Sequence, residues 1–192
     1  MLDLSVPFYP VIMICKDPKK CSYVLPEGLQ LRFWKPGMEH DWGKIHMEAG
    51  QLGTMEKALR IFTQEFAPYP EELQKRMFFL YDGERPLATM TLWFGDDLGY
   101  PAQRLHWLSC VPDYQGKGLG KLMMDISLWL YHELGCNGDL YLTSQTSSYL
   151  GINIYKKYGS EPYMGPMPDN GTAWNNEAAW AIINEKLDAY QK

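Results

Sequence analysis

The stretch VPDYQGKGLGKLMM, residues 111–124, decides how this chain is read. It leaves an apolar run, RLHWLSCV (104–111), and enters an amphipathic one, KLMMDISLWLYHEL (121–134). Between them three glycines stand at alternate positions, Gly116, Gly118 and Gly120. A glycine inside a helix weakens it by about 1 kcal/mol relative to alanine. Something must offset that loss at a helix start, and three glycines exceed what a tight turn needs. A strand-to-helix junction offers a gain of another kind. The first helical N–H groups have no intrahelical partners, and glycines let a ligand approach the backbone. Converging N–H groups and the helix dipole then favour an anion. The expected guest is a phosphate or pyrophosphate, with Lys117 and Lys121 at its edge. Two familiar phosphate loops do not match. The dinucleotide fingerprint needs GxGxxG, usually in the first strand-helix unit. A Walker A loop needs GxxxxGK followed by Ser or Thr, whereas GKGLGK is one residue short and runs into Leu122.

Outward from this stretch the periodicity supplies the other elements. PVIMIC (10–15) and LQLRFW (29–34) read as strands, the second ended by Pro36-Gly37. Residues 38–50 read as a helix, and a second helix begins after Thr54 as N-cap. Pro68 and Pro70 stop it, and PEELQKR makes one more turn. MFFLYD (77–82) and LATMTLWF (87–94) form a hairpin around GERP. DLYLTSQT (139–146) is a strand, SYLGINIYKKYG (148–159) a helix, SEPYM one short strand, and NEAAWAIINEKLDAY a final helix. Hairpin strands followed by a crossover helix imply an α/β (α+β) fold, with a mixed sheet flanked by helices. Residues 1–28 read as a proline-punctuated N-terminal extension.

Composition narrows the function. At 192 residues the chain fits one domain, and 46% hydrophobic residues suffice for a core. No run approaches the length of a membrane span, and VIMIC is too short for a secretory signal. A cytoplasmic protein is expected. The net charge of −5 argues against a nucleic-acid surface, which needs clustered Lys and Arg. Cys15, Cys21, Cys110 and Cys136 form no CxxC pair and read as reduced thiols. The four histidines, His40, His46, His106 and His132, show no HExxH spacing, so no metal is expected. Monomer and homodimer both stay open.

The segment LSCVPDYQGKGLGKLMM resembles the coenzyme-A-binding segment of the GNAT superfamily of N-acetyltransferases. That signature is Gln or Arg, two residues, Gly, one residue, then Gly or Ala, and Gln115 to Gly120 match it in full. The resemblance runs over about residues 29–163, and the later YKKYG adds to it. It implies a GNAT acetyltransferase domain over 29–165, a GNAT-like, mostly antiparallel sheet, and a packed C-terminal helical segment over 166–192. Many relatives end in a strand hairpin instead.

The same resemblance implies a site. Acetyl-CoA is the cosubstrate, its pyrophosphate held by the N–H groups of Gly116, Lys117, Gly118, Leu119, Gly120 and Lys121, beside Gln115. Its pantetheine arm runs along Leu108, Ser109 and Cys110, where a bulge splays the strand. The Cys110 N–H polarises the thioester carbonyl. Tyr155, from YKKYG, protonates the departing thiolate. Ser148 stands where the family often has an asparagine contacting the pantetheine. A lysine-like amine with a pKa near 10.4 is scarce as the neutral form at pH 7, at a cost of about 4.6 kcal/mol. A base must therefore take its proton. His106 is the candidate, because a histidine's ordinary pKa suits the task and some relatives carry one at this position. Asp96, Asp97 and Glu65 are the second candidates. Trp42, Phe66, Tyr69, Trp93 and Trp107 are expected to line the acceptor side. The expected function is acetyl transfer from acetyl-CoA to a primary amine of a small molecule or peptide by direct attack. The alternatives are a nucleophilic Cys110 that carries the acyl group, a different acyl group or acceptor, or a CoA-binding module without turnover.

Overall fold

The computed structural model describes residues 2–190. Seven strands form one sheet in the order β2-β3-β4-β5-β6-β1-β7. They are β1 (Pro10–Cys15), β2 (Leu29–Phe33), β3 (Met77–Asp82), β4 (Arg85–Gly95), β5 (Ala102–Cys110), β6 (Leu140–Gln145) and β7 (Glu161–Pro162). Neighbours are antiparallel except β5 and β6, which run parallel. The parallel pair follows from the crossover helix between them, as parallel neighbours require.

Six helices flank the sheet: α1 (Glu39–Glu48), α2 (Met55–Glu65), α3 (Pro70–Arg76), α4 (Leu119–Glu133), α5 (Tyr149–Lys157) and α6 (Asn176–Tyr190). Thr54 caps α2 as its position suggests, its side chain accepting from the Lys57 N–H at 3.2 Å. The two sheet faces are told apart by contacts. Met90 on β4 meets Ser127 of α4, whereas Trp93 on β4 meets Phe66 at the end of α2. So α4 covers one face and α2 the other. Directly paired residues share a face, which puts Arg104 and His106, opposite Trp93 and Thr91, on the α2 face.

The segment expected as an N-terminal extension supplies β1, and β1 lies inside the sheet between β6 and β7. The reason is its unbroken apolar run. Val11, Ile12 and Met13 expose nothing, as a strand covered on both faces requires. The C-terminal segment divides its work. Helix α6 buries Ala179, Trp180, Ile183 and Leu187 against α5 and β1. The residues before it, Tyr163, Met167 and Trp174, pack with Ile12, Ile14, Leu98 and Tyr141. Tyr141 pairs with Arg104 across β5 and β6, so this segment lies on the α2 face too. Among the described residues no helix is long and apolar enough to cross a membrane.

Candidate functional site

The glycines of the decisive stretch do different things. Gly116 and Gly118 have φ of +76° and +88°, the left-handed region, which costs other residues roughly 1–2 kcal/mol. Gly118 is the N-cap of α4, and no side chain caps that end. Gly120 has an ordinary φ but no room, since a Cβ there would sit 2.7 Å from Ile154 Cδ1. Two glycines turn the chain and the third lets α5 close on the first turn of α4. Among the described residues no protein acceptor takes the N–H groups of residues 116–121. Residues 116–118 are exposed, with nothing within 4 Å of where a Cβ would stand on Gly116 or Gly118. Such a row of free donors at a helix start fits a pyrophosphate. The lysines are less free than expected. Lys117 Nζ lies 4.8 Å from the centroid of the Tyr114 ring, and Lys121 pairs with Asp125 at 3.4 Å.

The sheet forks beside this loop. β5 and β6 pair only from Gln103↔Leu140 to Leu105↔Leu142, then part. At the base of the fork the Arg104 guanidinium donates to Thr143 Oγ1 at 2.6 Å and lies 3.5 Å from Asp97. On the other side of β5 the register with β4 slips between Thr89 and Thr91. The slip is a bulge at Trp107, whose φ is +53°. A bulky residue there is strained by about 1–3 kcal/mol. Beyond it the ladder resumes, and the Val111 N–H donates to Leu87 O at 2.8 Å. Bonded and non-bonded pairs alternate in such a ladder. The backbone groups of Ser109 therefore face β4, and those of Cys110 face the gap. Consistently, the Cys110 carbonyl accepts from Gln115 Nε2 at 2.9 Å. Gln115 thus ties the strand end to the loop.

Three side chains meet behind the bulge. One Glu65 oxygen accepts from His106 Nε2 at 2.6 Å and from Trp107 Nε1 at 2.8 Å. Burial pushes the His106 ring below its ordinary range, against the opposing bond from Glu65. Burial alone would raise the Glu65 carboxyl, but the bonds from His106 and Trp107 outweigh it and hold it low. The pair is thus a neutral imidazole on an ionised carboxylate. A carboxylate only accepts, so the His106 proton sits on Nε2 and the Nδ1 lone pair is bare. A second relay was not read from the sequence. His46, wholly buried, bonds through Nδ1 to Gln51 Oε1 at 2.5 Å, and Gln51 Nε2 donates to Leu108 O at 3.3 Å. The bulge is therefore gripped from α1 as well. Burial drives the His46 pKa down to about 4. No local pattern announces this relay, because Leu108, which Gln51 holds, lies 57 residues away in the chain.

The other expected residues fall as follows. Tyr155 is half-buried on α5, and burial raises its phenol well above the usual range. Helix α5 is fixed against the start of α4 by the Ile154–Gly120 contact and by Tyr158, whose hydroxyl bonds Asp125 at 2.6 Å. Ser148 is half-buried and precedes α5 without capping it. Burial pushes the Cys110 thiol up to about 11, which leaves little thiolate for a nucleophile. Asp97 is committed to Tyr141 (2.8 Å) and Arg104, and Asp96 is exposed. Trp42 and Phe66 expose nothing and are core residues rather than acceptor walls, because α1 and α2 close over them. Trp107 and Tyr69 keep exposed surface.

A forked, mostly antiparallel sheet, with a glycine loop of free backbone donors after the bulged strand, frames the site. Residues 74–160 match the acetyltransferase (GNAT) domain. The fold resembles a GCN5-related N-acetyltransferase from Sphaerobacter thermophilus, at TM-score 0.57 and 18% identity, over 85% of this chain and 54% of that one. It also resembles a tandem GNAT protein from the clavulanic acid biosynthesis pathway, at TM-score 0.55 and 14% identity, over 80% and 50%. A third likeness is to a glucosamine N-acetyltransferase region in a fungal multi-domain GH3 β-N-acetylglucosaminidase, at TM-score 0.56 and 12% identity, over 85% and 20%. The chain spans about half or less of these structures' own lengths. No curated protein sequence matches it. The domain match covers residues 74–160, a little under half of the chain, and the fold of the described residues resembles that of GNAT structures.

Proposed function

We propose that this chain transfers an acetyl group from acetyl-CoA to a primary amine by direct attack. The reading is carried by one juxtaposition. The free N–H row of residues 116–121 lies next to a strand end whose backbone faces a gap in the sheet. The loop would hold the pyrophosphate, and Leu108 to Cys110 would hold the pantetheine in the fork. Neutral His106 takes one ammonium proton at Nδ1, the freed amine nitrogen attacks the thioester carbonyl, and the second proton it sheds passes to solvent water. The Cys110 N–H stabilises the tetrahedral oxyanion. As that intermediate collapses the C–S bond breaks, and Tyr155 gives its proton to the thiolate. The products are an N-acetylated amine and CoA thiol. The high Cys110 thiol pKa favours direct transfer over an acyl-cysteine.

The experiment is a thiol-release assay with acetyl-CoA and a panel of primary amines, with acetylated product identified by mass. Amine-dependent release is expected. Tight acetyl-CoA binding with no release for any amine would turn the reading into one of a binding module.

A further inference from the structure

We propose that Glu65 is a positioning residue of this site, joining the His106 base and the Trp107 bulge into one bonded unit. The inference rests on the amine-acetylation reading above. It starts from a geometric conflict. Successive residues of an extended strand point to opposite faces. Yet His106 and Trp107 both donate to the same oxygen of Glu65, at 2.6 and 2.8 Å. Only the left-handed backbone at Trp107, φ +53°, brings the two side chains together. The carboxylate at the end of α2 therefore does two things at once. It fixes the His106 proton on Nε2, which leaves Nδ1 bare for an incoming ammonium. It also holds the bulge after which Cys110 turns its N–H into the fork. Base and oxyanion donor are registered to each other through one side chain, 41 residues away in sequence from His106.

The surroundings single out Glu65 for this work. The charged and titratable groups near His106 are Glu65 on α2, Arg104 on its own strand, Asp97 on the loop after β4, and His46 on α1. Asp97 is taken up by Arg104 and Tyr141. His46 is bonded to Gln51. Among the described residues Glu65 alone hydrogen-bonds the His106 ring. Its Oε2 accepts from both rings, so this oxygen links the base to the bulge.

The test is a 15N NMR titration of the His106 ring in the intact protein, beside the pH profile of kcat/KM. Glu65→Gln keeps the shape and an accepting oxygen but removes the charge. The His106 midpoint is expected to fall by about one unit or more, and the acidic limb of the profile should move down with it. A purely structural role for Glu65 would lower the rate and leave both midpoints in place, and that result overturns the proposal. The wild type gives a check that needs no variant. It should show the Nε2–H tautomer at neutral pH, and an Nδ1–H tautomer overturns the proposal outright. The two readings fail separately. A wild type that acetylates no amine removes the reaction and the base with it. An unmoved midpoint in an active enzyme removes the role of Glu65 alone.

Discussion

Gly120 and Ile154 touch so closely that a Cβ on the glycine would stand 2.7 Å from the isoleucine Cδ1. Gly118, two residues earlier, has open space around it but a φ of +88°. The two positions should therefore answer differently to alanine. Gly118→Ala forces an L side chain into the left-handed region and is expected to cost about 1–2 kcal/mol. Gly118→Asn should cost less, because Asn tolerates that conformation. Gly120→Ala meets only the far end of a flexible side chain and recovers helix propensity. Its net effect should stay below about 1 kcal/mol. Gly120→Leu should overpack the α4–α5 contact by about 1–3 kcal/mol. Urea unfolding of the four variants checks the order, and Gly120→Ala costing more than Gly118→Ala would contradict it.

Tyr155 is the proposed acid, and its raised phenol keeps its proton at neutral pH. Tyr155→Phe should lower kcat by about 10²-fold or more while the acetyl-CoA Kd stays near that of the wild type. Weaker cofactor binding with an unchanged rate would assign Tyr155 to packing. Steady-state kinetics and calorimetry on one preparation separate the two.

Cys110 offers the chemical rival. With its thiol pushed up to about 11, it should carry no acyl group. Cys110→Ala is expected to keep turnover, and rapid quench of the wild type with acetyl-CoA alone should show no acetylated protein. A stoichiometric acetyl-cysteine on Cys110 would replace direct attack by a two-step route.

His46 sets a stability prediction with a definite sign. It is wholly buried and its pKa falls from 6.5 to about 4 on folding. A depressed folded value means stability is fully present above the unfolded pKa and is lost as pH falls from about 6.5 toward 4. The full loss from this residue is on the order of 3 kcal/mol. Denaturant unfolding at pH 7 and pH 4.5 should show a smaller pH dependence for His46→Phe than for the wild type. Equal slopes would mean that His46 is not buried neutral.

The sequence held the parts of this fold that are local. Alternating apolar runs marked the strands, and Thr54 marked the start of α2. The glycine stretch marked a strand-to-helix junction where backbone donors are left free. It could not show that PVIMIC lies inside the sheet, because an unbroken apolar strand says that both faces are covered and not by which neighbours. It offered His106 as a base on type and position, and Glu65 as a separate candidate. That one oxygen of Glu65 meets both His106 and Trp107 depends on a left-handed tryptophan. Strand periodicity has no means of predicting that. Trp42 and Phe66 were read toward the acceptor because aromatic residues serve both cores and binding sites. Only the closure of α1 and α2 separates the two uses.

The central claim is that the glycine loop binds acetyl-CoA for transfer, and calorimetric titration of the intact protein with acetyl-CoA tests it most directly. Gly118→Glu, checked for folding by circular dichroism, is the control, because it sets a carboxylate at the mouth of the N–H row. The account predicts saturable one-site binding in the wild type and its loss in Gly118→Glu. No binding by a folded wild type would mean that the glycines serve the turn and the α4–α5 contact alone, and the acetyltransferase reading would fall with its cosubstrate.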